Sequence, residues 1–154
     1  MSEVFLSGFP LSPSVNECYR NVTGRGRVKT LSYRLFLERA SDWAHANDAP
    51  LRAARELVGQ VKPGLGIAAT YVLYFKPERV LTRVRSPGVA RVKQVNESKK
   101  LDLGNYLKAA EDAIFKLVEI DDAYVWKLDM TKSLALSGTE RIDVALCLIP
   151  HPMV

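Results

Sequence analysis

The segment from residue 99 to residue 122, KKLDLGNYLKAAEDAIFKLVEIDD, combines acids and bases in a pattern that could do chemistry. A basic pair leads into Asp102, and an acidic pair, Asp121 and Asp122, closes the segment. Carboxylates can hold a divalent cation, and neighbouring bases can hold the phosphates that the cation polarises. The segment therefore indicates metal-dependent chemistry on a phosphate, with an ordinary charged helix whose ends are solvated as the alternative.

A helix is expected to position these groups. After Asn105, apolar residues recur at helical spacing and point toward a core, namely Leu107, Ala110, Ile114 and Leu117. Lys108 and Asp112 are four residues apart, so they share one helical face with Asn105. Glu111 is expected to face solvent beside the helix.

The basic residues are unevenly distributed along the chain, whose formal net charge is +5 at pH 7. Residues 20–39 contain six bases and one acid, and residues 79–100 contain seven bases and one acid. The acids gather after residue 100 instead. Such segregated positive charge favours a polyanionic partner, although many basic proteins bind none.

Several function classes are disfavoured by what the sequence lacks. Cys18 and Cys147 are far apart without a CxxC spacing, and His45 and His151 are isolated, so neither zinc binding nor thiol chemistry is expected. No window approaches ~20 apolar residues, and the N-terminus does not read as a signal peptide. We expect an intracellular, cytoplasmic protein without a membrane partner.

The expected fold class is α+β, with a single domain over residues 1–154 and a mixed β-sheet with helices packed on one face. The expected strands are 3–9, 66–76, 123–130 and 141–149, and the expected helices are 30–47, 50–58 and the one after Asn105. The 50–58 helix could also continue the preceding one. The last two strands are expected to form a hairpin around Ser137 and Gly138, and Trp43 and Trp126 are expected in the core.

Two basic segments are less regular. Residues 13–29 are expected to be irregular, with Gly24 and Gly26 allowing sharp turns between outward-pointing bases. Residues 78–95 are expected to form either a two-stranded ribbon with one basic face, turning at Ser86-Pro87-Gly88, or a loop.

Three motifs resemble one known family. They are PSVNECYR at 13–20, DLGNYLKAAEDAI at 102–114 and IDDAYVWKLDMTK at 120–132. In order and spacing they are similar to motifs of the RusA family of Holliday-junction resolvases, small endonucleases of bacteria and their phages. The resemblance implies a RusA-like homodimer that binds branched DNA, four-way junctions in particular. It also implies symmetric cleavage with a divalent metal, Mg²⁺ or Mn²⁺, and no small-molecule cofactor.

The resemblance also assigns roles to residues. Asp102 and Asp122 match the first and last catalytic aspartates, with Asp121 as an acidic neighbour, and Lys108 matches a lysine near the scissile phosphate. Gly104 stands where the family has a second essential aspartate. Because glycine offers no side-chain oxygen, three outcomes stay open: Asp112 supplies the missing ligand, Asn105 supplies a neutral one, or the protein binds DNA without cutting it.

The basic segments are the expected DNA-binding surface. Its residues would be Tyr19, Arg20, Arg25, Arg27, Lys29, Arg83, Arg85, Arg91, Lys93, Lys99 and Lys100. Phe9 or Tyr33 could wedge into a junction. A protein-interaction module whose basic surface meets an acidic protein is the remaining alternative.

Overall fold

The computed structural model describes residues 2–80, 82–86, 89–93 and 102–151. Within these residues the strands are β1 (Glu3–Pro10), β2 (Tyr19–Val22), β3 (Gly26–Lys29), β4 (Leu65–Phe75), β5 (Thr82–Ser86), β6 (Val89–Lys93), β7 (Val125–Leu134) and β8 (Arg141–Pro150). The helices are α1 (Leu31–Ala46), α2 (Asp48–Val58), α3 (Pro77–Val80) and α4 (Leu103–Val118). Short 3-10 turns occupy Val15–Glu17 and Asp122–Tyr124.

Four strands form one mixed sheet in the order β1-β8-β4-β7. β8 is antiparallel to both of its neighbours, whereas β4 and β7 are parallel. Every second residue of β8, from Ile142 to Leu148, is buried against a core that also takes in α1, α2 and α4. The prediction of an α+β fold with a mixed sheet and helices on one face is therefore confirmed.

The predicted hairpin between the last two strands is wrong. The turn itself exists, since Gly138 has a φ of 80° and its N–H donates to the Ala135 carbonyl at 2.9 Å. The two strands that this turn connects are not neighbours, however, because β4 lies between them: β8 pairs with one side of β4, and β7 pairs with the other side and forms the end of the sheet. The more apolar β8 takes an inner position and the more exposed β7 an edge.

The helix ends follow capping chemistry. Thr30 caps α1 by accepting a hydrogen bond from the Tyr33 N–H at 3.3 Å. α2 is a separate helix that begins at Asp48, which settles the alternative of a continued α1. α4 starts after Asp102 and ends at Val118, and the next residue, Glu119, has a φ of 59°, the left-handed conformation typical of a helix stop.

The two basic segments both contain antiparallel ribbons. β2 and β3 pair as a hairpin where an irregular segment was expected, with Gly24 and Gly26 at positive φ in its turn. β5 and β6 pair as expected, in the register Thr82–Lys93, Arg83–Val92, Val84–Arg91 and Arg85–Ala90. Residues paired across a ribbon share a face. In this register Arg83 and Arg85 are paired with Val92 and Ala90 rather than with the bases of β6, so the pairing that a single basic face requires is not formed and that prediction is wrong.

Trp43 and Trp126 have different environments. Trp43 is buried as expected and packs edge-to-face on Phe9 with ring centroids 5.1 Å apart. Trp126 is 51% exposed and stacks on His151, so its placement in the core was wrong. Phe9 is fully buried, which removes it as a wedge residue. Within the described ranges, no helix combines the length and apolar character needed to cross a membrane.

Candidate active site and nucleic-acid interface

Asp102 stands at the N-terminus of α4, where its carboxylate caps the helix. Its Oδ1 accepts a hydrogen bond from the Gly104 N–H at 2.9 Å, and the residue is exposed. The Gly104 position beside it is open among the described residues: apart from its own helix backbone and chain neighbours, a Cβ there would meet only Asp102 Oδ1, at 3.4 Å. The fold therefore has room for a second carboxylate at residue 104, which the sequence does not fill.

Asp121 and Asp122 lie in the 3-10 turn that precedes β7. Asp121 Oδ1 accepts a hydrogen bond from the Ala123 N–H at 2.9 Å and so caps this turn. Asp122 is the first residue of the turn and is exposed. The preceding residue, Ile120, donates its N–H to the Phe115 carbonyl at 3.0 Å, which ties this acidic pair to the end of α4.

Glu111 is the carboxylate that the sequence analysis missed. It is half-buried rather than solvent-facing, so that expectation was wrong. Burial raises the pKa of the Glu111 carboxyl, a contact with Tyr71 lowers it, Asp112 and Asp122 raise it, and Lys108 lowers it. Three of the predicted site residues thus interact with one side chain whose role the sequence analysis did not foresee.

Helical spacing is the signal that could have revealed Glu111. It lies seven residues after Gly104 and three after Lys108, so all three share one face of α4. Tyr71, on the core side of β4, faces the same helix, and burial, followed by the charge of Glu111, raises the pKa of its phenol. The Tyr71 hydroxyl is buried and makes no hydrogen bond of good geometry with the described residues. Glu111 therefore sits between the α4 surface and a buried polar atom of the sheet.

Glu111→Gln is expected to raise the unfolding temperature at pH 7 by about 1–3 °C. Because the pKa of Glu111 is raised, its ionised form is disfavoured in the folded state. Ionisation therefore costs stability progressively as the pH rises from the ordinary glutamate pKa through the raised one. The gain of the variant should shrink toward pH 4, as measured by thermal unfolding in EDTA. A variant less stable than the wild type at pH 7 would show that contacts of the carboxylate outweigh its burial.

The acids do not form a ready-made metal cage. Within residues 2–80, 82–86, 89–93 and 102–151, no three Asp, Glu, His or Cys side chains lie close enough together to hold an ion. Asp112, the expected substitute ligand, interacts electrostatically with Tyr33 as well as with Glu111. Carboxylate oxygens nevertheless suit Mg²⁺, which is usually held by one or two carboxylates together with substrate phosphates. Asp102 and Asp122 are exposed carboxylates of this type, but no contact among the described residues joins them, and the 16-residue α4 lies between Asp102 and the turn that holds Asp122.

The β2–β3 hairpin presents bases on an aromatic support. The Arg27 guanidinium lies 4.2 Å from the centre of the Tyr19 ring, and the Lys29 ammonium lies 5.8 Å from that of Tyr33. The two tyrosines pack edge-to-face with centroids 5.3 Å apart. Arg25 is exposed in the turn. The aromatic pair therefore orients at least two of the bases that the sequence assigns to DNA binding.

This hairpin is fastened next to α4. Ser12 donates a buried hydrogen bond to the Tyr106 carbonyl of α4, and Thr30 Oγ1 donates to the Glu17 carbonyl at 2.6 Å. Burial, Tyr19, Cys18 and Asp112 together raise the pKa of Tyr33 to about 12. The segment before the hairpin is therefore attached to α4, and Asp112 of α4 acts electrostatically on Tyr33, which packs on Tyr19 of the hairpin.

Not every predicted DNA-binding residue reaches this surface in the described structure. Arg20 is exposed on β2, but it pairs with Val28 and so lies on the other face of the hairpin from Arg27 and Lys29. Arg83, Arg85, Arg91 and Lys93 lie on the β5–β6 ribbon, whose backbone is a separate two-stranded sheet. Lys99 and Lys100 lie outside the described residues. Their assignment to DNA binding stays a prediction.

An exposed carboxylate at a helix start, charged groups along that helix and an adjoining basic hairpin together define a small α+β protein of the nucleic-acid-processing class. A protein-family model described as "Endodeoxyribonuclease RusA" matches residues 10–146, and the chain belongs to this family. Its members are structure-specific endodeoxyribonucleases of Holliday junctions and generally depend on a divalent metal. A search of curated proteins finds no match.

Proposed function

We propose that this chain binds four-way DNA junctions as a homodimer and cleaves their phosphodiester backbone with a divalent cation. The observation that carries the proposal is the exposed carboxylate of Asp102 at the start of α4. The segment that leads into the basic β2–β3 hairpin is hydrogen-bonded to the same helix, at the Tyr106 carbonyl. Membership of the endodeoxyribonuclease family supports it. Paired, symmetric nicks in a junction require two active sites, which is why a homodimer is part of the proposal.

Asp102 and Asp122 would hold the cation, Mg²⁺ or Mn²⁺, with Asp121 beside them. When bound, the cation would acidify a water and neutralise charge on the phosphate. Lys108, exposed on the same helix, would neutralise a further phosphate charge. Glu111 is better placed than Asp112 to act as the third acid, because it interacts with Asp122 and lies on the Gly104 face of α4.

The hairpin would bind the DNA backbone. Arg25, Arg27 and Lys29 can neutralise phosphates without reading sequence, in keeping with recognition of DNA shape. Tyr19 reduces the mobility of Arg27 before DNA arrives, since the two are already stacked. The hairpin lies next to α4 and could therefore hold a strand against the acidic site.

Arg27→Ala is expected to weaken junction binding and to reduce the slope of log K against log salt concentration by about 1. One phosphate contact would be lost, so junctions of different sequence should be affected equally. Fluorescence anisotropy over a salt series measures both quantities. Arg52→Ala is the matched control, because Arg52 is exposed on α2 and paired with Asp48. Equal slopes for Arg27→Ala and wild type would remove the hairpin from the DNA interface.

A second candidate function is junction binding without cleavage. Gly104 and the lack of three converging ligands among the described residues favour it. Incubating a labelled four-way junction with the protein and Mg²⁺ or Mn²⁺ separates the two, with binding measured in parallel in EDTA. Paired nicks support the nuclease. Tight binding without nicks under both metals selects the second function, and absence of binding even at low salt would leave only a protein-interaction role.

A further inference from the structure

β7 forms one end of the four-stranded sheet, and among the described strands it pairs only with β4. Its outer edge therefore carries backbone groups that another strand could bind. Trp126, Leu128 and Met130 of this strand are 51%, 44% and 40% exposed. Leu128 and Met130 pair with the buried Ala69 and Tyr71, so they lie on the helix side of the sheet where the helix layer does not cover them.

The opposite edge of the sheet, β1, is already protected by its own chain. The Ser7 carbonyl accepts a hydrogen bond from Trp43 Nε1 of α1 at 2.9 Å, so a backbone group of this strand is already bound by a helix. This contrast makes β7 the edge that is available to a partner.

We propose that two copies of this chain associate through β7, running antiparallel about a two-fold axis at Leu128, so that the two sheets join into one of eight strands. The inference names the dimer surface of the proposed junction-binding homodimer, and to that extent it rests on the proposed function. The partner is a second copy because the β7 sequence is complementary to itself.

The charges on β7 select this alignment. Lys127 and Asp129 lie on the face of the sheet away from the helices, flank Leu128, and form an ion pair at 3.2 Å. With the axis at Leu128, Lys127 lies opposite the partner's Asp129, and the reverse pair forms by symmetry. An axis at Lys127 would place lysine opposite lysine, and an axis at Asp129 would place aspartate opposite aspartate. Opposite charges directly across two strands stabilise a pair and like charges destabilise it.

A β-bulge in β7 keeps apolar residues of the two copies facing each other beyond the pairs next to Leu128. The β4–β7 register moves from Ile67–Val125 to Ala68–Lys127, so Trp126 is an extra residue. Two residues of a bulged strand oppose one residue of the partner. Trp126 and Lys127 would therefore share the partner's Asp129, and Val125 would meet the partner's Met130 on the helix side. The exposed Leu128 and Met130 would then be covered by the matching residues of the second copy.

Sedimentation of the full chain over a concentration series tests the association. The wild type should dimerise, and Leu128→Asp should weaken the dimer at least about tenfold, with circular dichroism checking the fold. Lys127→Asp and Asp129→Lys should each weaken it severalfold, since each places like charges opposite one another. The double variant should recover most of the affinity because the pairs are restored with their signs exchanged.

A second measurement does not depend on the fold tolerating a buried charge. In an antiparallel pair centred on residue 128, the two Cβ atoms of Leu128→Cys would lie close enough for a disulfide. Mild oxidation should therefore give a covalent dimer on a non-reducing gel. Phe5→Cys is the matched control, because Phe5 is an exposed apolar residue of the opposite edge strand. The wild type controls for Cys18 and Cys147, which are buried and half-buried.

Failure of this inference can be told apart from failure of the proposed function. A monomeric wild type, or a dimer that resists Leu128→Asp and does not cross-link at residue 128, overturns the β7 interface even if junctions are cleaved. A dimer that responds as expected but does not bind junction DNA supports the interface and overturns the proposed function.

Discussion

Asp102→Asn is expected to reduce junction cleavage by at least about a thousandfold and to leave junction affinity within about twofold of wild type. The asparagine oxygen can still accept the Gly104 N–H, so the cap of α4 is kept. The negative charge that would hold the cation is lost. Single-turnover cleavage with Mg²⁺ and anisotropy in EDTA measure the two effects separately.

Two further variants separate charge from capping. Asp102→Ala removes both and should also lower stability by about 1 kcal/mol, because an N-cap is lost. Asp42→Asn makes the same charge change on an exposed residue of α1 and should leave cleavage unchanged. Full activity in Asp102→Asn would rule out a metal site at this residue.

Gly104→Asp is expected to raise the cleavage rate about tenfold or more. The position tolerates a side chain, since its φ lies outside the left-handed region and, of the side chains that the structure describes, a Cβ would contact only Asp102, with Oδ1 at 3.4 Å. A carboxylate there would stand beside Asp102 and add the oxygen that the sequence lacks. Without a cation the two acids repel each other, so Mg²⁺ should also raise the unfolding temperature of this variant more than that of wild type.

Gly104→Asn and Gly104→Ala are the controls for Gly104→Asp. Both fill the same space without a charge, and neither should raise the cleavage rate or the Mg²⁺-dependent stabilisation. If Gly104→Asp behaves like Gly104→Asn in both measurements, the open position does not belong to the metal site.

Combining substitutions at residues 104 and 111 tests whether Glu111 replaces the missing aspartate. If it does, Glu111→Gln should reduce the cleavage rate much more in the wild type than in the Gly104→Asp background. In that background the new carboxylate would supply the ligand that cleavage otherwise takes from Glu111. Equal losses in both backgrounds would show that Glu111 acts independently of position 104.

Local patterns in the sequence were sufficient for several features. Helical periodicity after Asn105 predicted α4, and Asp102 at its start is a capping residue type. β-branched and aromatic residues predicted the central strand β4, and the Ser-Pro-Gly turn predicted the β5–β6 ribbon. These features depend on residues close together in the chain, and the helix, strand and turn preferences of such residues can be read from their types and spacing.

Long-range pairing was harder to foresee. The Ser137–Gly138 turn is real, yet β8 pairs with β1 and β4 rather than with β7. The burial of individual side chains was also not predictable from the sequence. Trp126 is exposed at the edge of the sheet, and Glu111 is half-buried near Tyr71. Neighbours that are distant in sequence decide such outcomes.

Residue type and spacing were enough to predict the long helices, the strands of the main sheet, the segregated positive charge, the family motifs and the missing carboxylate at Gly104, but not the β2–β3 hairpin. Only the tertiary structure decided which acid joins Asp122 and Lys108, how the basic hairpin is fastened to α4, and which edge of the sheet is left open. These three features depend on strand order and on packing between segments that are distant in sequence. The chain as a whole, rather than each segment, buries its apolar surface and pairs its buried polar groups.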